Sequence, residues 1–273
     1  MTKHEYAEQV CKYLNEAGYE TTIEDHYRNN GSQVAIMVRT QDKKISPIFT
    51  VGDIEQTPEE FANHIINFVP ADIPTNSLEE IITDKESVLS RVHYVLVNSE
   101  MNKYREELVR KPINKTLELH YKVDISDILD GSRITLEQKH IDKIGVCLEE
   151  LHERAYENTM TKFPYELLTI NEVVGLDMLP ELPIYVLTNI TKIYGAGTIL
   201  YRGMKDVLEE QVGEETIVIP SSVHEVLVLP TYLGEKEAIT AMIREINGSV
   251  VKPEEVLSDR PYELIMDGAL FEL

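Results

Sequence analysis

The stretch from Pro183 to Pro230 constrains the fold most. It reads P-I-Y-V-L-T-N, then Y-G-A-G-T-I-L-Y-R-G, then I-V-I-P-S-S-V-H-E-V-L-V-L-P. Four apolar runs, each of strand length, are cut by glycines, prolines and one polar cluster. The runs predict strands over 184–188, 196–201, 216–219 and 223–229. Helical periodicity predicts helices over 203–212 and 234–247. The last third therefore reads β-β-α-β-β-α. On the final helix Ala238, Ile239, Met242, Ile243 and Ile246 share one face, and Gly248 stands near its end.

Upstream, Thr2 and Glu5 form a capping box for a first helix bearing Tyr6, Val10, Tyr13, Leu14 and Ala17, with Gly18 as its stop. Cys11 lies beside that stripe. Strands follow over 21–27, 33–40 and 45–51, turned by Asn29-Asn30-Gly31 and Asp42-Lys43-Lys44. Thr57-Pro58-Glu59-Glu60 opens a second capped helix that Pro70 ends. Residues 71–77, with Pro70 before them and Pro74 within, read as a linker. Short helices are expected from Ser77 and Asp84, a strand over 92–97, a helix over 99–109 and a strand over 116–123. Asp130-Gly131 marks a turn. Residues 136–158 read as helical with a break at Gly145, burying Leu148, Leu151 and Ala155, and 163–174 as a further helix or part of one. Strands and helices mix without βαβ alternation, which predicts an α+β fold with mixed or antiparallel sheets. The expected division is 1–75, 76–180 and 181–273, packed as one or two globular domains.

Composition excludes several classes. The 273 residues carry 48 acidic and 26 basic side chains, a formal charge of −22. Residues 1–90 carry −9, 91–183 carry −5 and 184–273 carry −8. No third is basic, which disfavours direct binding to nucleic acid or to an anionic membrane. No apolar run approaches the ~18 residues that span a bilayer. The polar start, Met-Thr-Lys-His-Glu-Tyr, is unlike a signal peptide. Cys11 and Cys147 form no Cys-x-x-Cys pair, so a reduced, cytoplasmic setting is expected.

Candidate chemistry centres on Ser221, Ser222, His224 and Glu225. A serine nucleophile needs a base within hydrogen-bond reach and a third group to orient that base. On a strand Ser222 and His224 would share a face and Glu225 would point away. No Gly-x-Ser-x-Gly elbow surrounds them. The plainer expectation is that the hydroxyls cap loop backbone and His224 bonds at an edge. Gly195-Ala196-Gly197 precedes a run that reads as a strand, so a tight turn or close packing suits it better than a phosphate loop. No P-loop sequence occurs. The eight histidines are scattered, and neither His152-Glu153 nor His224-Glu225 extends to His-Glu-x-x-His. No calcium-loop spacing occurs either. Neither a cofactor nor a metal is expected. Glu137-Gln138-Lys139, with Asp124, Asp127 or Asp130 upstream, weakly resembles a metal-dependent nuclease arrangement, which the overall acidity opposes.

The chain resembles, over nearly its whole length, a domain-of-unknown-function family common in clostridial genomes and often found in mobile elements. The resemblance rests on Asn29-Asn30-Gly31, on Lys44 to Ile48, and on Glu149-Glu150-Leu151 with Ala155 and Glu157-Asn158-Thr159. It is strongest in Tyr185 to Asn189, Gly195-Ala196, Ile219 to Leu227 and Pro253 to Asp259. A second uncharacterised bacterial family shares the Gly-Ala…Pro-Ser-Ser-x-His-Glu segment. Where the family has Leu-Tyr-Pro-Gly, this chain has Leu200-Tyr201-Arg202-Gly203, without the helix-starting proline. The resemblance supplies no catalytic residues. It implies an accessory or anti-defence role in a mobile element. The expected function is a non-enzymatic, acidic protein-interaction factor with a basic protein partner. The alternative is an enzyme of unknown substrate using Ser222 and His224, within a cluster that includes Asn189 and Gly195.

Overall fold

A computed structural model describes residues 1–39, 46–69, 75–103, 105–129, 131–175 and 182–273. The expected turn at 42–44, the stop at Pro70, most of the 71–77 linker, and Asp130 lie outside the described residues. So do Lys44 and Ile45. Two compact units result, Met1–Ile81 and Ile82–Leu273. The second holds both the middle and the last of the three segments drawn from the sequence.

The first unit contains α1 (Lys3–Glu16), β1 (Glu20–Arg28), β2 (Gly31–Arg39), β3 (Ile48–Thr50) and α2 (Pro58–Phe68); α3 (Thr75–Thr83) begins within it. Both expected capping boxes form, at Thr2/Glu5 and Thr57/Glu60. The three strands make one antiparallel sheet, and Asn30 takes the positive φ (62°) that its turn requires. Helix α1 packs against α2 and β2. Its buried side chains are Tyr6, Ala7, Val10, Cys11 and Leu14.

The second unit begins with α4 (Lys85–Arg91), capped by Asp84. A sheet follows, of β4 (Val92–Asn98), β5 (Arg110–Pro112), β6 (Leu117–Asp124) and β7 (Arg133–Thr135). Strand β6 is central, with β4 on one side and both β5 and β7 on the other. Next come α5 (Gln138–Ile144) and α6 (Leu148–Lys162), separated by Gly145 in the left-handed region. Leu151 and Ala155 are buried, as their spacing predicts. The chain continues through β8 (Tyr165–Thr169), α7 (Ile170–Val174), β9 (Tyr185–Asn189), a 3-10 helix (Gly195–Leu200) and α8 (Met204–Gln211). It ends with β10 (Thr216–Ile219), β11 (Val226–Pro230), α9 (Lys236–Ser249), β12 (Tyr262–Met266) and β13 (Ala269–Glu272). The last six strands form an antiparallel sheet in the order β13-β12-β10-β11-β9-β8. The class is α+β, with antiparallel sheets throughout the described residues.

Four local expectations are corrected. No helix forms in the described part of 99–109, because Asn98 and Asn102 compete for its backbone. Asn98 Oδ1 accepts from Met101 N–H (2.8 Å), and Asn102 Nδ2 donates to Asn98 O (2.7 Å). Residues 165–169 are a strand pairing with β9, and only 170–174 are helical, behind a Thr169/Glu172 capping box. The 196–201 run is a buried 3-10 helix rather than a strand, its turn closed by Thr198 Oγ1 donating to Gly195 O (2.7 Å). The last strand of the stretch starts at Val226, not 223. The C-terminal third is thus β-α-β-β-α-β-β once the 3-10 turn is set aside. Its final hairpin turns on Asp267-Gly268, with Gly268 at φ +74°. Asp267 also replaces the missing proline cap of α8, accepting from Gly203 N–H (2.6 Å) and Lys205 N–H (3.1 Å).

Helix α9 covers Ile217, Ile219 and Leu229 with Ile239 and Ile243. The other members of its predicted face, Ala238, Met242 and Ile246, remain exposed. Gly195 has no room for a side chain: a Cβ there would lie 2.5 Å from the His224 carbonyl oxygen and 2.7 Å from Asn189 N. A Cβ on Gly248, in α9, would meet nothing within 4 Å. Gly195→Ala is therefore expected to lower unfolding stability by about 1–3 kcal/mol. Gly248→Ala should raise it by up to about 1 kcal/mol. Urea denaturation of both variants checks the contrast.

Candidate functional site

Four sequence segments converge around His224. They are the end of β9, the Gly195 turn, the loop 220–225 and the segment 253–257. Thr188 Oγ1 donates to His224 O (2.8 Å), Ala196 N–H to Val223 O (3.3 Å), and Val223 N–H to Glu255 O (2.8 Å). Asn189 shapes the turn between β9 and the 3-10 helix. Its Nδ2 donates to Ile193 O (3.0 Å), and its Oδ1 accepts from Thr191 N–H (3.0 Å) and Thr191 Oγ1 (2.8 Å). Within this turn Lys192 (φ 55°) and Tyr194 (φ 54°) occupy the left-handed region. Such strain persists only where surrounding structure enforces it.

The polar cluster is arranged differently from a strand. Ser222 is buried and sits in a loop, and its Oγ donates to Glu225 Oε1 (2.9 Å) while accepting from His224 N–H (3.0 Å). Glu225, expected to point away, is the acid that Ser222 meets. The His224 ring turns elsewhere. Its Nδ1 accepts from Tyr194 N–H (3.2 Å), which fixes the proton on Nε2, and Nε2 lies 3.7 Å from Glu255 Oε1. Tyr194 packs against the imidazole at 5.7 Å between ring centres. Lys122 Nζ lies 5.5 Å from the Tyr194 ring centre, within cation–π range. Ser221 is half-buried at the entry to the loop. Gly195 supplies the close backbone approach rather than a phosphate cradle.

Beside this cluster runs a row of polar groups that sequence reasoning overlooked. Thr116, Glu118, His120, Lys122 and Asp124 alternate with apolar residues along β6. Such a face ordinarily meets water. Here Thr116, Glu118 and His120 are buried. His120 Nε2 pairs with Glu118 Oε1 (2.8 Å), and Arg110 Nη1 lies 3.8 Å from the same oxygen. Burial pushes the His120 pKa down, chiefly, against the pull of the Glu118 carboxylate. Thr116 Oγ1 shares a proton with Tyr262 Oη (2.6 Å), which Ser258 Oγ also meets (2.7 Å). Across the strand pair, His93 faces Lys122 and is buried. A signal was available in β4: Val-His-Tyr-Val-Leu-Val-Asn is apolar on both faces, so its neighbour had to be buried on both faces too.

The remaining candidates lie apart from this cluster. Glu137 pairs with Lys139 (2.6 Å), Asp127 binds Arg91 in a bidentate fork (2.6 and 2.9 Å), and Asp124 accepts from Ser126 N–H (2.9 Å). His152 Nδ1 meets Tyr121 Oη (3.1 Å), and His140 Nδ1 accepts from Glu137 N–H (3.0 Å). Among the described residues no group of three histidine, cysteine or acidic side chains is placed to hold a metal ion. None of the described helices is long and apolar enough to cross a membrane.

Fold and site together define an antiparallel α+β protein with a polar seam inside its larger unit. The chain belongs to a family of unknown function (DUF5688), which it matches over residues 3–264. No curated protein and no solved structure matches it.

Two outcomes are expected. Ser222→Ala leaves Glu225 and the His224 N–H without their shared partner, so it should cost about 1–3 kcal/mol. A double-mutant cycle with Glu225→Ala should show coupling between the two sites. The second outcome concerns pH. Burial, reinforced by Arg133 and Lys122, depresses the His93 pKa from 6.5 to about 3. Folded His93 is thus neutral, while the unfolded chain takes up a proton below about pH 6.5. Stability should fall as pH drops through 6.5 and continue falling to about 3, with a loss near 2 kcal/mol at pH 5 from this residue. His120 and His152, also depressed chiefly by burial, act in the same direction. Denaturant titrations at pH 7 and pH 5 should show a smaller pH penalty in His93→Gln.

Proposed function

We propose that this protein is a non-enzymatic, acidic protein-interaction factor that meets a basic protein partner. The C-terminal hairpin carries the reading. It forms one edge of the six-stranded sheet, and Ile265, Met266 and Phe271 are each more than half exposed on it. Exposed apolar groups on an edge strand are a surface that natural proteins shield unless a partner uses it. The net charge of −22 favours a basic partner through long-range attraction. The polar cluster supports the same reading. Ser222 Oγ is committed to Glu225, and the basic lone pair of His224 is committed to Tyr194 N–H. A nucleophile–base pair needs both free for each other. The finer role, an accessory or anti-defence factor of a mobile element, rests on the family resemblance alone.

A second reading, an enzyme of unknown substrate acting through Ser222 and His224, is favoured by the positive φ angles of Lys192 and Tyr194 beside a half-exposed imidazole. The two readings separate in one experiment. Tagged protein is isolated from its native cells and bound proteins are identified by mass spectrometry, for the parent, Phe271→Asp, and Ser222→Ala/His224→Ala. A stoichiometric basic partner, released by salt and lost in Phe271→Asp, supports interaction. A partner that persists in Phe271→Asp overturns the hairpin as its surface. The second reading stands only if the Ser222/His224 variant loses the cellular phenotype while remaining folded.

A further inference from the structure

The larger unit contains one corner where charge runs against the rest of the chain. Strands β4, β6 and β7 lie side by side there. The ladder sets His93 opposite Lys122 and Lys122 opposite Thr135; Asp124 stands opposite Arg133, one step further along the same face. Lys122 Nζ donates to Thr135 Oγ1 (3.1 Å), which confirms that this face is shared. Asp124 is the natural counter-ion for Arg133. Its carboxylate instead serves the Ser126 turn, and no ion pair joins it to Arg133 among the described residues. Arg91 is matched by Asp127. Lys162 reaches the Ser90 carbonyl (3.3 Å) rather than an acid.

Two atoms in this corner stand out. His93 Nδ1 and Arg133 Nε are buried, and neither reaches a described partner in hydrogen-bond geometry, although the Arg91 backbone lies near enough to the imidazole to favour its protonated form. They are the buried polar side-chain atoms left unpartnered there, and both lie on this one face. Buried donors without partners are costly, and native structures satisfy nearly all of them. Two such atoms, with Lys122 beside them, leave hydrogen-bonding capacity unused on this face next to the acid Asp124. An acidic side chain is the ordinary internal solution; the nearest, Asp124, shares this face, spends its Oδ1 on the Ser126 turn and still acts on His93 through its charge.

We propose that Arg133 and His93, with Lys122 beside them, bind a small phosphate-type oxyanion. An anionic oxygen would accept from Arg133 Nε–H and from His93 Nδ1–H in charge-assisted hydrogen bonds. The guanidinium suits a tetrahedral or planar oxyanion because its donors form a rigid fork. The bound charge would also favour the imidazolium, opposing the burial and the neighbouring cations that keep His93 neutral. Asp124 is the acid facing these groups and would tend to weaken binding, so affinity should be modest. The surrounding acidity of the chain disfavours a polyanion, which leaves a small ligand: free phosphate or the phosphoryl group of a small metabolite. This site is independent of the hairpin surface proposed above.

The test uses the whole protein labelled for histidine-ring NMR, with ionic strength held constant by chloride. One arm titrates inorganic phosphate and another glycerol 3-phosphate, each to about 10 mM, where millimolar affinity would be visible. The expected result is a saturable shift of the His93 ring signals together with proton uptake by His93. Binding should weaken at least about tenfold in Arg133→Met and less in Arg133→Lys, which keeps a cation without the fork. Tighter binding of the ester than of phosphate would assign a metabolite as the source, and the reverse would assign the free ion. Arg154→Gln, which alters an exposed arginine paired with Glu157, should leave the response unchanged. The proposal is overturned if neither ligand gives a saturable His93 shift, or if folded Arg133→Met responds as the parent does.

Discussion

The fold of the larger unit depends on burial of a polar strand face. Once β4 is apolar on both sides, its neighbour β6 must also be enclosed, and β6 carries a polar or charged residue at every second position. The enclosed groups therefore have to satisfy one another or draw partners from the second sheet. Glu118 and His120 do the first. Thr116 does the second, through Tyr262 and Ser258, and Lys122 reaches the Tyr194 ring. Removing one member of such a set leaves its partner desolvated and unpaired, which costs more than the bond itself contributes. The second sheet and the 190s turn are thus held to the first by specific polar contacts as well as by apolar packing.

The same requirement accounts for the unusual backbone around His224. Tyr94 Oη donates to Gly197 O (3.0 Å), and a Cβ on Gly197 would lie 2.9 Å from the Tyr94 ring. The 3-10 helix is drawn close enough to β4 that only glycine fits at its contact points. Holding that helix there forces the preceding turn into left-handed geometry at Lys192 and Tyr194. The Tyr194 N–H then points at the His224 ring. His224 Nδ1 and Asn189 Oδ1 accept from donors that a tight, strained turn leaves over, and Thr188 Oγ1 donates to the His224 carbonyl. The residues carrying the family resemblance are in this sense a mutual support: each holds the backbone of another segment.

Much of this was legible in the sequence where local chemistry decides the outcome. Thr-x-x-Glu capping boxes, the Asn-Asn-Gly turn, the break at Gly145 and the alternation of β6 all appear in the structure as read. The failures arise where tertiary contacts override local pattern. The apolar run 196–201 has strand composition, yet it is held as a 3-10 helix by close packing against Tyr94. Residues 165–169 fall in a range read as helical or partly so, but pairing with β9 takes them. The Asp267-Gly268 turn between apolar runs is a hairpin signature and could have been found. The placement of Ser222, His224 and Glu225 was less accessible. Two-residue alternation applies only to strands, and Pro220 delays the strand until Val226.

The distribution of satisfied and unsatisfied groups separates structural chemistry from chemistry still open to a ligand. Around His224 the Ser222 hydroxyl and the imidazole Nδ1 lone pair are matched within the chain, while Nε2 lies 3.7 Å from Glu255 Oε1. Around Arg133 the balance differs: its Nε is buried without a partner among the described residues, in a protein with nearly twice as many acids as bases. A chain so rich in acids has no shortage of counter-ions. Among the described residues Arg133 forms no ion pair, and the Ser126 turn takes one oxygen of the facing Asp124. The sequence motif therefore marks where the fold is braced, while Arg133, which no motif singles out, is where the oxyanion proposal rests.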